Sequence, residues 1–135
     1  MKEKVSKLMT DVEFCESVSE EIVIVVEEKL NINFPKDYRE FVLESNGVAG
    51  AIGDNAYLII WPIEELVDLN EGYGVEKFTP GLVYFGSDGG GMAYAFDVRK
   101  EQMKIVEIPF ESIHIEDANV IADTFEDFLN VIYKR

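Results

Sequence analysis

Leu82-Val83-Tyr84-Phe85, then Gly86-Ser87-Asp88-Gly89-Gly90-Gly91, then Met92-Ala93-Tyr94-Ala95-Phe96: an apolar run, a glycine-rich break and a second apolar run. Both apolar runs have the length and the aromatic and aliphatic content of strands. Glycine is too permissive to hold an interior strand, so residues 86–91 are predicted to connect the two. Residues 97–102 form a further turn, and Met103-Lys104-Ile105-Val106-Glu107-Ile108 alternates in part, as a strand with one exposed face does. The three segments predict an antiparallel meander in sequence order.

Outward from the meander the signals are mostly helical. Phe34-Pro35-Lys36-Asp37-Tyr38-Arg39-Glu40-Phe41-Val42-Leu43-Glu44-Ser45-Asn46-Gly47 has proline in its first turn, Asn-Gly at its stop, and Tyr38, Phe41 and Val42 on one buried stripe. Gly47, Gly50 and Gly53 then break regularity before Tyr57-Leu58-Ile59-Ile60-Trp61, a short run of strand character ended by Pro62. Pro62 opens a helix with Ile63, Leu66 and Val67 inward and Glu64, Glu65 and Asp68 outward. Nearer the N-terminus, Ser17 with Glu20 suggests a capping box for a helix over residues 17–30, with Ile22, Val26 and Leu30 sharing a face. The β-branched run from Ile22 to Val26 argues for a strand instead, but the acidic start and Lys29 near the end match the helix macrodipole and favour the helix. Val5, Leu8, Met9 and Val12 predict another helix before it. At the C-terminus Thr124 with Asp127 marks a helix start, and Phe125, Phe128, Leu129 and Ile132 keep helical spacing. The expected fold class is α+β, a central mainly antiparallel sheet flanked by helices, in one domain over residues 1–135 without repeat or linker.

A chain of 135 residues with 47% hydrophobic content can bury a core without disulfide or metal. Its formal charge, 12 − 27 = −15, repels phosphate backbones. Nucleic acid is therefore not an expected partner, and a basic protein is the electrostatic complement. Acidity also serves solubility, and charge alone does not separate the two roles. Cys15 is the one cysteine, so no intramolecular disulfide forms. Leu8 and Met9 are followed at once by Asp11 and Glu13, which breaks any signal-peptide core, and no run reaches membrane-spanning length. A cytoplasmic protein without membrane association is expected.

His114 is the sole histidine, so a Ser-His-Asp or Cys-His arrangement would have to use it, and no serine sits on a Gly-x-Ser-x-Gly elbow. It lies between Ile113 and Ile115 in an extended segment and reads as a structural or surface residue. One Cys and one His cannot close a structural zinc shell. Gly86 and Gly91 have the spacing of a phosphate-binding loop, but Met92 and Ala93 stand where lysine and a hydroxyl residue are required. Asp54, Asp88 and Asp97 lie near glycine-rich turns and form a minor alternative as an acid–base or ligand-binding group, without a calcium-loop pattern to support it. No cofactor and no metal are expected, and the chain reads as a non-enzyme. Trp61 reads as core. The glycine-rich connection has two readings: a wide hairpin turn with positive φ, or bare backbone N–H groups and the Asp88 carboxylate facing a partner.

Three stretches together resemble the SUKH superfamily, which includes bacterial toxin-immunity proteins and a yeast cell-wall regulator. They are Phe34-Pro35-Lys36-Asp37-Tyr38 with its Asn46-Gly47 stop, Trp61-Pro62-Ile63-Glu64-Glu65-Leu66, and the span from Leu82 through the glycines to Phe96-Asp97, followed by the stretch Ile121 to Leu129 at the place of the family's C-terminal helix. Phe34 replaces the usual leucine, and Met92 stands where the family often has an acidic or polar residue. The resemblance implies a helix-flanked, mainly antiparallel sheet, no catalysis, and an immunity protein that neutralises a cognate toxin, a basic nuclease of a polymorphic toxin system. A regulatory adaptor or peptide-binding module is the alternative. The expected docking surface joins Asp88, Gly89, Gly90 and Gly91 to Asp54, Glu64, Glu65 and Asp68, with Tyr57 as an aromatic anchor.

Overall fold

Each strand pairs antiparallel with the next one along the chain. The computed structural model describes residues 12–14, 18–53 and 56–135. Within them β1 (Val12–Phe14) is followed by two helices, α1 (Glu20–Leu30) and α2 (Lys36–Glu44), and by the hairpin of β2 (Val48–Ile52) and β3 (Ala56–Ile60). A 3-10 turn at Ile63–Glu65 leads into α3 (Leu66–Gly72) and the short α4 (Val75–Phe78). The meander β4 (Leu82–Ser87), β5 (Met92–Asp97) and β6 (Lys104–Pro109) comes next, then β7 (Asn119–Ala122) and α5 (Phe125–Tyr133). The sheet order is β1-β2-β3-β4-β5-β6-β7, antiparallel at every pairing. The α+β class and the predicted meander both stand.

Four local readings need correction. Gly86 and Ser87 belong to β4 and are buried, so the turn is residues 88–91. Ser19, not Ser17, stands before the first turn of α1, and its hydroxyl makes no capping bond; Ser17 lies outside the described residues. Pro35 is the residue preceding α2 rather than a member of its first turn. Of the segment from Val5, only Val12 is described, and it opens β1 instead of ending a helix because it pairs with Gly50. The strand β2 was unforeseen: it pairs along its whole length with β3, from Val48↔Ile60 to Ile52↔Ala56, which outweighs the low strand preference of Ala49-Gly50-Ala51.

The two sheet faces bury different material. On the first, Tyr38 of α2 and Phe125 and Phe128 of α5 meet Phe85, Tyr94 and Phe96 of the meander. Tyr38 and Phe125 lie 5.3 Å apart edge-on, as do Phe85 and Phe128, geometries worth about 0.5–1.5 kcal/mol each beyond burial. Asp37 joins the two helices: Oδ1 accepts from Tyr38 N at 2.9 Å and Oδ2 from Glu126 N at 3.0 Å. Thr124 Oγ1 accepts from Asp127 N at 3.0 Å, the N-cap anticipated from sequence. The second face buries Leu82, Tyr84, Ala93, Ala95, Val106 and Ile108 beneath Val75, with Trp61 and Phe110 partly covering them.

Between β3 and β4 the sheet is split. Only Ile59↔Ser87 and Ile60↔Gly86 pair before Trp61 donates its N–H to Phe85 O at 3.0 Å and Pro62 turns the chain away. On this edge the N–H and carbonyl of Tyr84 then meet no strand, while its other side pairs with Ala95 of β5. Asn70, buried on α3, replaces one: its Oδ1 accepts from Tyr84 N at 2.8 Å, and its Nδ2 donates to Tyr84 O at 3.0 Å and to Leu66 O at 2.7 Å.

Two substitutions test this. Asn70→Ala strands a buried N–H and carbonyl in mid-sheet and is expected to lower unfolding free energy by about 2–4 kcal/mol in urea titration. Tyr38 is fully buried and its hydroxyl has no hydrogen-bond partner among the described residues, while burial pushes its ionisation upward. Tyr38→Phe is expected to leave stability unchanged or raise it by about 1 kcal/mol in the same assay.

Candidate functional site

Asn46-Gly47 at the end of α2 is a clamp for the next corner of the chain. Asn46 Oδ1 accepts from Ile63 N at 2.7 Å, and its Nδ2 donates to the Glu64 carboxylate. Gly47 has φ +105°, and a Cβ there would lie 2.8 Å from Ile60 O and 3.0 Å from Pro62 N, so only glycine lets the two backbones meet. The stop of α2 therefore sets where Pro62 sends the 3-10 turn and α3, and with them Glu64, Glu65 and Asp68, all three exposed.

At the other end of β3 lies the turn of residues 88–91. Asp88 Oδ1 accepts from Gly90 N at 2.8 Å and Met92 N at 3.2 Å, and Ser87 Oγ accepts from Gly89 N at 3.0 Å. Tyr57, 47% exposed, rests against Gly89, where φ is +82° and a Cβ would lie 2.9 Å from the ring. The glycines thus have different reasons. Gly86 is required because a Cβ would overlap the Ile59 carbonyl, and Gly89 by its φ. Gly90 meets only the Asp88 carboxylate at 3.5 Å, and Gly91 meets nothing within 4 Å. Neither has a positive φ, so the hairpin itself does not demand glycine there.

Along β3, alternation puts Tyr57, Ile59 and Trp61 on the second face. Among the described residues nothing covers that face here: Ala49 and Ala51 of β2 are exposed and Ile59 is half-buried. Tyr57, Asp88 and Gly89 come together at one end of this strip, and Glu64, Glu65 and Asp68 group at the other, about 13 Å away along the strand. Asp54 lies outside the described residues. Asp97 is elsewhere, at the far end of β5 from Asp88, about 15 Å or more away. Its carboxylate is taken by Arg99 through bonds of 2.9 and 2.8 Å, which hold it below the usual carboxylate range. The two aspartates do not form a joint acid–base pair. His114 is exposed on an extended backbone.

A group that periodicity did not flag borders the strip. Trp61 stacks on Tyr73 with ring centroids 6.1 Å apart and planes at 13°, and Phe110 lies 4.7 Å from Tyr73. Trp61 is half-buried, so its core role is only part of its placement. These rings come from three separate elements, and nothing local in the sequence couples them. The electrostatic frame was readable: residues 40–76 hold eight Asp or Glu and no Lys or Arg.

The model of the SMI1/KNR4 family (SUKH-1) matches residues 17–131. This chain belongs to that family. It is also similar to the uncharacterized protein YnaB of Bacillus subtilis (strain 168), 30% identical over 121 residues, which cover 88% of this chain and 78% of the relative. The SUKH resemblance of Pro35-Lys36-Asp37-Tyr38, Asn46-Gly47 and Trp61-Pro62 now has a physical content. Asp37 bridges α2 to α5, Tyr38 centres the aromatic core, and Asn46-Gly47 locks onto the Trp61-Pro62 corner. In this SUKH protein no helix among the described residues is long and apolar enough to cross a membrane.

The division among the glycines predicts an asymmetry. Gly86→Ala is expected to destabilise by about 2 kcal/mol or more, while Gly91→Ala stays within about 0.5 kcal/mol of the parent. Thermal unfolding of the two variants side by side measures it, and equal melting temperatures would contradict the steric assignment.

Proposed function

We propose that this SUKH protein is an immunity protein that binds a cognate toxin, a basic nuclease of a polymorphic toxin system, and neutralises it without chemistry of its own. The observation that carries the reading is the strip of β2 and β3 left exposed among the described residues, itself within the cation-free run of residues 40–76 and bounded by Asp88 at one end and Glu64, Glu65 and Asp68 at the other. A nuclease cleft that accepts a phosphate backbone is basic, and a rigid acidic surface can occupy it as a mimic of that backbone. Rigidity comes from the Asn46 clamp and the Asp88 turn, which hold the Glu64 and Asp88 carboxylates before the partner arrives. Gly90 and Gly91 supply bare backbone that a partner can approach closely. Asp54 and Tyr57 complete the proposed surface.

Such an interface associates fast at low salt and more slowly as salt rises. Replacing Glu65 and Asp68 with Lys and Asp88 with Asn is expected to slow association with the toxin encoded beside this gene by about tenfold or more and to flatten its salt dependence, with an unchanged melting temperature. The same variant should fail to relieve growth arrest on co-expression. Relief and association equal to the parent in a well-folded variant would place the interface elsewhere. A neighbouring product that is neither toxic nor bound would favour the adaptor reading.

A further inference from the structure

We propose that the Trp61, Tyr73 and Phe110 cluster is a seat for an arginine side chain of the protein partner, with the guanidinium lying on the ring faces and the neighbouring carboxylates neutralising it. This deepens the partner-binding reading above and rests on it. Three observations converge. The rings are fixed in advance: Tyr73 is stacked on Trp61, packed 4.7 Å from Phe110, and lies 6.3 Å from buried Tyr84, so little side-chain freedom is left to lose on binding. They are also accessible, Tyr73 being 43% exposed and Trp61 and Phe110 half-buried, at the margin of the uncovered strip of Ala49, Ala51 and Ile59. Exposed aromatic anchors beside a flat apolar strip have the composition of an interface centre.

The third observation selects the occupant. Between residues 40 and 98 the chain has a single cation, Lys77, and its Nζ sits 5.3 Å from the centroid of the Phe78 ring. Exposed carboxylates adjoin the rings in the chain, Glu71 two residues before Tyr73 and Glu111 next to Phe110. A purely apolar occupant would desolvate that acidic rim without compensating it. A cation does not. Arginine fits better than lysine because its planar, weakly hydrated guanidinium stacks on rings and still donates in-plane to carboxylates.

Trp61 is the sole tryptophan, so its emission reads the seat directly. The probes are three blocked glycine-rich peptides that differ only in carrying arginine, lysine or the neutral isostere citrulline. The arginine peptide is expected to give a saturable change in Trp61 emission, the lysine peptide about tenfold weaker binding, and the citrulline peptide none. Tyr73→Leu should weaken the arginine peptide about tenfold at an unchanged melting temperature, while Tyr73→Phe, which keeps the ring, should bind like the parent. Equal binding of citrulline and arginine, no saturable signal, or a Tyr73→Leu variant that binds like the parent would each overturn the proposal. Self-association that buries Trp61, seen as a concentration-dependent sedimentation shift lost in Tyr73→Leu, would assign the seat to a second copy and overturn it too. The two readings separate cleanly. Arginine-peptide binding without toxin relief would sink the immunity function alone, whereas toxin relief undiminished by Tyr73→Leu would sink the arginine seat alone.

Discussion

Strand β4 needs hydrogen-bond partners on both edges, and β3 supplies them only at Ile59 and Ile60 before Pro62 carries the chain off. The carboxamide of Asn70 closes the gap by bonding both backbone groups of Tyr84, as a strand residue would. Because an unpaired buried N–H or carbonyl is expensive, α3 must lie where Asn70 can reach. That requirement places the 3-10 turn, α3 and Tyr73 at the boundary between the covered and uncovered parts of the second sheet face. The aromatic cluster and the acidic end of the candidate surface both follow from it.

The same device recurs at other junctions. Asp37 satisfies the first turn of α5, Asn46 the N–H of Ile63, and the buried Glu27 accepts from Phe34 N at 2.7 Å. Each is a polar side chain standing in for backbone that leaves regular pairing; Asp37 and Asn46 tie together segments 89 and 17 residues apart, and Glu27 pins the turn seven residues on. Arg39 lies 3.6 Å from the Glu27 carboxylate, so that acid is not left alone in its partly apolar setting. Structural carboxylates of this kind face inward, whereas Glu65 and Asp68 face solvent. Net charge alone does not distinguish them; position does.

The meander, α2, the region from Ile63 onward and α5 were legible because their signals are local: apolar periodicity, proline and Asn-Gly punctuation, and an N-cap at Thr124. β2 was not, since Ala49-Gly50-Ala51 has no strand character until β3 lies beside it. β7 was hidden for a similar reason, being short and half-exposed and held by pairing with β6. Of the candidate surface, Tyr57, Glu64, Glu65, Asp68, Asp88 and the glycines were found as types of residue. Tyr73 and Phe110 were not, because their meaning depends on Trp61 standing next to them.

Sequence by itself determined the secondary-structure grammar of the meander and the main helices, the acidic field, and the absence of motifs for a histidine triad, a zinc shell or a phosphate loop. These follow from composition and from spacing within a few residues. Only the tertiary structure decided which glycines are sterically required, which face of β2 and β3 stays open, and that Trp61, Tyr73 and Phe110 share one place. Gly86 and Gly91 look alike in the chain, yet one lies against the carbonyl of Ile59 and the other faces open space. The difference is the close approach of another backbone, a contact that no spacing along the chain records.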